Sequence, residues 1–240
     1  MLPDWPTSIT ASMTPDLPAV EVAIVDKTNA FRKAHKLGAL RRNAKLDSAA
    51  RAFAKFMART SEFSHTADGR KPAERITAAG YSYCLVAENL AFHADSRGFA
   101  SGQLAQASLT GWQKSPGHRK NMMQRHITEI GVGVAKAANA HEYYSVQLFG
   151  RPKALTFQFR ITNKSRSKTA YTLDGRRFTL KGRTVMTHSV CIPQRLTFRN
   201  VRVRGRAAPS TLEFPVKADD EFFVEPVTGG LRVEHRPRLK

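Results

Sequence analysis

The sequence is poor in cysteine, in acidic residues and in long hydrophobic runs. Its 240 residues contain two cysteines, and 19 aspartates and glutamates stand against 39 lysines and arginines, which gives a formal net charge of +20. No apolar run approaches the roughly 18 to 20 residues of a membrane-spanning helix, so we expect no transmembrane segment. Residues 1–20 also lack the basic start and apolar middle of a signal peptide. If the protein is exported, its signal peptide is therefore not in this sequence.

Compact catalytic signatures are missing as well. The sequence has no HExxH and no CxxC, the short patterns that hold zinc in many proteins. Ser64 lies next to His65, but no G-x-S-x-G elbow surrounds it, so we expect a turn or capping role for this serine. A metal or catalytic site would have to combine residues that are far apart in the chain.

The positive charge is concentrated in the last third of the chain. Residues 1–150 carry a net charge of +7, whereas the shorter segment 151–240 carries +13. Such asymmetry predicts a polyanionic partner, and nucleic acid, anionic lipid and an acidic cell-envelope polymer all remain possible at this point.

Hydrophobic spacing divides the chain into three segments. Residues 1–20 are rich in proline, threonine and serine, and we expect an extended N-terminal segment. From Val22 onward, apolar residues recur every three or four positions, which predicts helices, and later β-branched and aromatic runs predict strands. We therefore expect a mixed α and β domain over residues 21–151. Its predicted elements are two helices separated at Gly38, the second capped by Asp47, a loop over 64–75, a helix over 75–79 closing at Gly80, a helix over 99–112 stopping at Ser115, Pro116 and Gly117, and strands over 130–135 and 143–149.

Beyond Pro152 the apolar period changes from helical to two. About seven short alternating segments, separated by turn residues, predict a small β-sandwich or barrel over residues 152–240. Asp174 and Gly175 lie between two of these segments and predict a tight hairpin. The outward positions of this basic β domain are rich in arginine, and one basic strip is formed by Arg199, Arg202, Arg204 and Arg206.

Three candidate functional residues lie at the boundaries of predicted elements. They are His65, Glu88 and His118. Two imidazoles and a carboxylate form a ligand set known from catalytic zinc sites. Without a metal, histidine and glutamate at hydrogen-bond distance are able to act as a general base. A third interpretation is that these side chains only hold loops together, and the residues alone leave the three alternatives open.

Five motifs give the chain a family resemblance. In order and spacing they resemble the CAP superfamily, the group of cysteine-rich secretory proteins, antigen 5 and plant pathogenesis-related proteins, in its bacterial SCP-like form. The resemblance runs from about Val22 to Gly150 and implies a three-layer α-β-α sandwich around a cleft. The fold class is then α+β, a CAP-type sandwich followed by a small all-β domain. The motifs are FSH at 63–65, AENL at 87–90, WQKSPGHRKN at 112–121, TEIGVGV at 128–134 and YYSVQLFG at 143–150.

The resemblance also implies which residues line the cleft. His65 and His118 match the two family histidines and Glu88 matches the first acid, whereas the second acid is replaced by Ser115. His126 is nearer to TEIG, but its spacing is a poorer match. These matches imply Zn²⁺ or another divalent metal on His65, His118 and Glu88, which are also the candidate catalytic residues. Cleft support is expected from Ser115, Arg119 and Asn121.

The two cysteines lie in different predicted domains. In an exported protein Cys84 and Cys191 are expected to form a disulfide that ties the β domain to the CAP-like domain. In a cytosolic protein they would be buried thiols. The resemblance to secretory proteins favours the disulfide.

The resulting functional hypothesis is a secreted or periplasmic monomer. Its cleft binds a small ligand or divalent metal, and its basic β domain docks to an anionic envelope polymer, a lipid headgroup or a protein partner. One alternative is a metal-assisted hydrolase acting from the same cleft. A second is a nucleic-acid-binding protein, which we do not expect because the arginine strip lacks interleaved aromatic residues for base stacking. Whether the protein is an enzyme is left open by the sequence.

Overall fold

The computed structural model describes residues 13–138, 141–203 and 210–237. The chain divides into two compact units, Met1–Ala154 and Leu155–Lys240. No helix formed by the described residues combines the length and the apolar character needed to cross a membrane.

The first unit is a three-layer sandwich. Its four-stranded sheet has the order β1-β3-β4-β2, with β4 antiparallel to both β3 and β2. On one face α1, α4 and α5 bury a core that includes Ile24 and Trp112, and on the other face α2 and α3 bury Phe53 and Ile76. The expected α-β-α arrangement is thereby confirmed. Among the described residues the elements are α1 Leu17–Ala34, β1 Arg41–Arg42, α2 Ala44–Thr60, α3 Pro72–Ala78, β2 Tyr83–Ala94, α4 Ser101–Lys114, α5 Pro116–Met122, β3 Glu129–Lys136 and β4 Glu142–Pro152.

The helix starts differ from those expected. Helix α1 begins at Leu17 rather than at Val22, so the end of the expected extended segment is helical. Asp16 caps it by accepting from the Ala19 amide at 3.4 Å, and Pro18 is tolerated in the first turn, where no intrahelical amide bond is needed. The cap of α2 is Asn43, not Asp47.

Two elements near the site were not expected. The Ser-Pro-Gly run ends α4 as predicted, but Pro116 also begins the new helix α5, because proline fits the first turn of a helix. The segment before Glu88 is part of the long strand β2, so Glu88 lies within a strand rather than after one.

Along the outer edge of β3, carboxylate side chains accept the hydrogen bonds that a neighbouring strand would otherwise accept. Strand β1 pairs with β3 over only two residues. Beyond it, Asp47 accepts from the Val132 amide at 2.8 Å and Glu21 accepts from the Val134 amide at 3.3 Å. Asp47 therefore has a real role in the fold, but it fixes a strand edge and does not cap its own helix.

The described residues of the second unit form one mixed sheet of eight strands, in which most neighbours are antiparallel. This is one strand more than the sequence predicted. Seven strands follow the order β7-β6-β9-β12-β11-β5-β8, and β10 pairs with β9, which gives a nearly closed, barrel-like sheet. Asp174 and Gly175 form the predicted hairpin turn, both with positive φ, at 45° and 79°. Arg204 and Arg206 of the basic strip lie outside the described residues. The strands are β5 Phe157–Asn163, β6 Thr169–Leu173, β7 Arg176–Leu180, β8 Val185–Val190, β9 Arg195–Val201, β10 Ser210–Pro215, β11 Glu221–Val227 and β12 Gly230–Arg236.

Neither cysteine is a free thiol. Cys84 and Cys191 are both disulfide-bonded, as expected for an exported protein. The alternative of two buried thiols is thereby set aside.

Candidate functional site

Strand β2 carries the central carboxylate of the candidate site. The side chain of Glu88 is only 2 % exposed and accepts three hydrogen bonds. One comes from His65 Nδ1 to Oε1 at 2.7 Å, and two come from Arg75 Nη2 to Oε1 and Oε2 at 3.0 and 2.8 Å. The residues meet because β2 runs beneath both the loop after α2, which contains His65, and helix α3, which contains Arg75. His65 and Glu88, two residues of the predicted site, are thus in direct contact.

Arg75 is the residue that sequence reasoning missed. Its side chain is 4 % exposed and forms two buried ion pairs, to Glu88 and to Asp68, each at 2.8 Å. It also donates to the His65 carbonyl at 3.0 Å, and its guanidinium carbon lies 3.4 Å from the centroid of the Phe53 ring. The sequence offered one indication that Arg75 is buried, which is its position next to Ile76 in a short predicted helix. Arg75 fixes both the carboxylate and the loop that presents the histidine.

The imidazole of His65 has a defined orientation. Because an ionised carboxylate only accepts hydrogen bonds, the proton on the bonded ring nitrogen is on Nδ1 and points to Glu88. The other nitrogen, Nε2, is left for a ligand, on a side chain that is 52 % exposed. Carboxylates hold metal-binding and catalytic histidines in the same way, with the second ring nitrogen directed at the ligand.

His118 is the electrostatic neighbour of His65. It lies in the first turn of α5, two positions after Pro116, which begins this helix. Burial and the charge of His65 both lower the pKa of His118 from its ordinary value, and the first effect is the larger. At neutral pH His118 is therefore an uncharged imidazole. The choice of His118 over His126 as the second histidine stays a prediction.

A buried amide network holds α5 against the strand that carries Glu88. Asn121 donates to the Glu88 carbonyl at 3.1 Å and to the Asn89 side chain at 2.9 Å. Asn89 in turn donates to the His118 carbonyl at 3.2 Å and to Gln147 on β4 at 2.9 Å. The backbone at His118 is thereby tied to the backbone at Glu88. The expected supporting role of Asn121 is a positioning role.

Arg119 and Ser115 act at a distance from the two imidazoles. Arg119 Nη2 lies 3.1 Å from His35 Nε2, and its guanidinium carbon lies 5.1 Å from the centroid of the Phe31 ring on α1. The Ser115 carbonyl accepts from the Arg119 amide at 2.8 Å in the first turn of α5. Both residues therefore fix α5, which carries His118.

Comparison with known proteins assigns the family. The sequence profile of the cysteine-rich secretory protein family, CAP, matches residues 25–149. The chain belongs to the CAP family. The matched range contains the five motifs except for the last residue of the fifth, and it contains every residue of the candidate cleft.

Individual relatives match little more than half of this chain. The protein YkwD of Bacillus subtilis (strain 168) is 30 % identical over 135 residues, which are 55 % of this chain and 49 % of that protein. The chain thus spans about half the length of this curated relative. An extracellular SCP-domain protein of Bacillus anthracis is 28 % identical, with a TM-score of 0.47, over 58 % of this chain and 44 % of that one. An outer surface protein of Borrelia burgdorferi is 23 % identical, with a TM-score of 0.48, over 54 % and 90 %.

No ready-made metal cluster is found in the described part of the chain. Among residues 13–138, 141–203 and 210–237, no group of three or more His, Cys, Asp or Glu side chains is arranged to hold a metal ion. Both oxygens of Glu88 accept from Arg75, and Oε1 also accepts from His65, so the carboxylate holds this histidine in place. Metal binding by His65, His118 and Glu88 stays a prediction.

The occupied carboxylate also bears on the hydrolase alternative. A general base must offer a free lone pair to a substrate or water, and Glu88 already accepts three of the about four hydrogen bonds that a carboxylate is able to accept. Ser64 accepts from the Thr66 amide at 3.3 Å, which is the expected turn role and not that of a nucleophile. The hydrolase is therefore not favoured, and neither is the nucleic-acid alternative.

The coupling of the two histidines predicts a pKa change. We expect the pKa of His118 to rise when His65 is replaced by alanine, because one of the two causes that lower it is removed. The pKa of each histidine can be followed by NMR titration of its ring resonances. His126→Ala serves as the matched control and should leave the pKa of His118 unchanged. An unchanged pKa in His65→Ala would show that the two imidazoles are not neighbours.

The same lowered pKa has a consequence for stability. Because His118 takes up a proton less readily when folded than when unfolded, acid favours the unfolded chain. The contribution of the neutral imidazole is intact above the unfolded pKa of about 6.5 and is lost as the pH falls towards the folded value.

Proposed function

We propose that this CAP protein is exported and binds a small polar ligand in its cleft, through Nε2 of His65 and the neutral imidazole of His118. The observation that carries the proposal is the buried chain of contacts from Arg75 through Glu88 to His65, which directs one ring nitrogen outward. Export is supported by the disulfide-bonded cysteines, since disulfides persist in oxidising compartments.

Two imidazoles suit a particular class of ligand. A ring nitrogen that carries no proton accepts a hydrogen bond from a hydroxyl group or donates a lone pair to a divalent cation. With only two protein donors, a cation such as Zn²⁺ would keep its other positions for water or for the oxygen atoms of a ligand. The site therefore fits a weakly held ion rather than a closed structural one, and Glu88 stays outside the ligand set.

The second unit supports a docking role beside this binding role. Segment 151–240 holds 20 basic and seven acidic residues. We propose that it attaches the protein to an anionic component of the cell envelope. Electrostatic attraction to such a component is long-ranged and independent of the cleft.

Calorimetric titration of the tag-free protein with Zn²⁺ tests the cleft. We expect one weak site per chain, and at least tenfold weaker binding in both His65→Ala and His118→Ala. Glu88→Gln should weaken binding roughly 10- to 100-fold, as is usual for a group that orients a metal-binding histidine. His126→Ala, which removes a histidine of the same unit outside the proposed pair, should bind Zn²⁺ as the wild type does.

Two results would contradict the cleft proposal. One is wild-type affinity in His65→Ala or His118→Ala, and the other is an equal loss in His126→Ala. Circular dichroism of each variant at the titration temperature separates a lost site from a lost fold.

A further inference from the structure

Many of the cations in the second unit are compensated by ion pairs. Each glutamate of β10, β11 and β12 is paired, in Arg160–Glu221, Lys164–Glu234, Arg195–Glu213, Arg232–Glu225 and Arg236–Glu234. Within β7, β6 and β9, which are neighbours at one end of the sheet order, Arg195 has this kind of partner on β10, but Arg177 and Arg199 have no ion pair among the described residues. Positive charge is therefore uncompensated at Arg177 and Arg199.

Three exposed cations surround one cavity. Lys168, Arg177 and Arg199 have no acidic partner among the described residues. They line a cavity of about 340 Å³. Thr172 and Thr197 lie on the floor of this cavity. Thr172 of β6 is paired with Arg177 of β7 on one side and with Thr197 of β9 on the other. At a strand spacing of about 4.8 Å, this register places the strand of Arg177 about 10 Å from the strand of Arg199.

A second cavity continues the first along the same face. It measures about 420 Å³ and shares Thr172, Thr197 and Arg199 with the first one. Its acidic lining is already engaged, because Glu213 pairs with Arg195 at 2.8 Å and Asp174 accepts from the Arg195 amide at 2.7 Å. We call the two joined cavities the β6–β9 groove. It is elongated, cationic at one end and lined by hydroxyl groups along its floor.

From these features we infer that the β6–β9 groove binds a linear anionic polysaccharide. The inference rests on the docking half of the proposed function and names its surface and ligand class. Arginine forks match carboxylate, sulfate and phosphate groups, and threonine hydroxyls both donate to and accept from sugar hydroxyls. An elongated groove suits consecutive units of one chain better than it suits a small ligand.

Two other polyanions fit the groove less well. Single-stranded nucleic acid binds on exposed aromatic platforms, and an anionic membrane binds surfaces that also expose large apolar side chains. In the described part of the chain, no large exposed apolar residue belongs to β6, β7 or β9. Those that are exposed are Met13, Val22, Phe63, Phe92, Leu155 and Val185.

The test compares two variants of the full chain that lose the same charge. Arg177→Ser with Arg199→Ser removes two cations of the groove. Arg160→Ser with Lys217→Ser removes one cation of β5 and one of the segment between β10 and β11, neither of which lines the two cavities. Dextran sulfate at a fixed NaCl concentration near 0.15 M is the probe, and neutral dextran, duplex DNA and phosphatidylglycerol vesicles are the comparison ligands.

We expect dextran sulfate to bind the wild type, and we expect the groove variant to bind it at least tenfold more weakly while the control variant loses less than threefold. Neutral dextran should not bind. Equal losses in the two variants would overturn the groove, because general charge attraction would then explain the binding. Tighter binding of DNA or vesicles than of dextran sulfate, with the same dependence on Arg177 and Arg199, would overturn the ligand class.

This outcome is separable from a failure of the proposed function. If the wild type binds no polyanion at all, the docking role itself fails. If it binds dextran sulfate but the two variants behave alike, docking stands and the groove fails. Zn²⁺ titration of the cleft is unaffected in either case, because its residues belong to the first unit.

Discussion

Replacing Arg75 with methionine is expected to lower the free energy of unfolding by about 3–5 kcal/mol. Methionine keeps much of the length of the side chain but leaves the buried carboxylate of Glu88 without its arginine partner, and Asp68 keeps only the exposed Arg70. Leaving one buried charge without its partner lowers stability far more than replacing both members of the ion pair with apolar residues. Chemical denaturation followed by circular dichroism measures the change.

Arg70→Met is the matched control for this prediction. Arg70 also pairs with Asp68, at 2.9 Å, but its side chain is 56 % exposed. Exposed ion pairs contribute about 0–1 kcal/mol, so the control should stay close to the wild type. Equal destabilisation by the two substitutions would contradict the buried role of Arg75. A double variant, Arg75→Met with Glu88→Gln, should recover part of the loss because one of the stranded charges is removed.

Replacing Gly133 with alanine is expected to destabilise the first unit by about 3 kcal/mol, the upper part of the range for overpacked cores. A Cβ atom at this position would lie 2.1 Å from the Arg51 nitrogen and 2.3 Å from the Ala50 carbonyl carbon. Both are backbone atoms of α2 and cannot rotate away, so helix and strand must separate. Gly131 meets the same helix in the same way, 2.3 Å from the Leu46 carbonyl carbon.

Gly111→Ala provides the control for this second prediction. Gly111 lies inside α4, and a Cβ atom there would meet nothing within 4 Å. Alanine is the better helix former, so this substitution should stabilise the protein by about 0.5–1 kcal/mol. Destabilisation by Gly133→Ala of no more than a few tenths of a kcal/mol would show that α2 does not pack on β3 as closely as described.

The periodic parts of the fold were predictable from the sequence, and the reasons are physical. Helices α2 and α4 bury one face each, so their apolar spacing marks them directly. The Asp174–Gly175 turn was predictable because few residue pairs adopt two successive positive φ angles. Helix α5 was missed because Pro116 ends one helix and begins the next, and the local sequence does not separate these two roles.

The site was predictable in its histidines but not in its electrostatics. His65, Glu88 and His118 were found through motifs that the chain shares with its family. Arg75 was missed because its partner Glu88 is 13 positions away and reaches it only through the path of β2. The orienting role proposed for Glu88 could not be derived without Arg75, which bonds to both carboxylate oxygens.

The central claim is that Arg75 and Glu88 orient His65, and that the two imidazoles, not the carboxylate, contact the ligand. A crystal structure grown at neutral pH with added Zn²⁺ tests it most directly. We expect electron density for the ion on His65 Nε2 and on the ring of His118, with Glu88 still bound to both Arg75 and His65 Nδ1. An ion coordinated by Glu88, with Arg75 displaced, or the absence of an ion from both histidines would contradict the account.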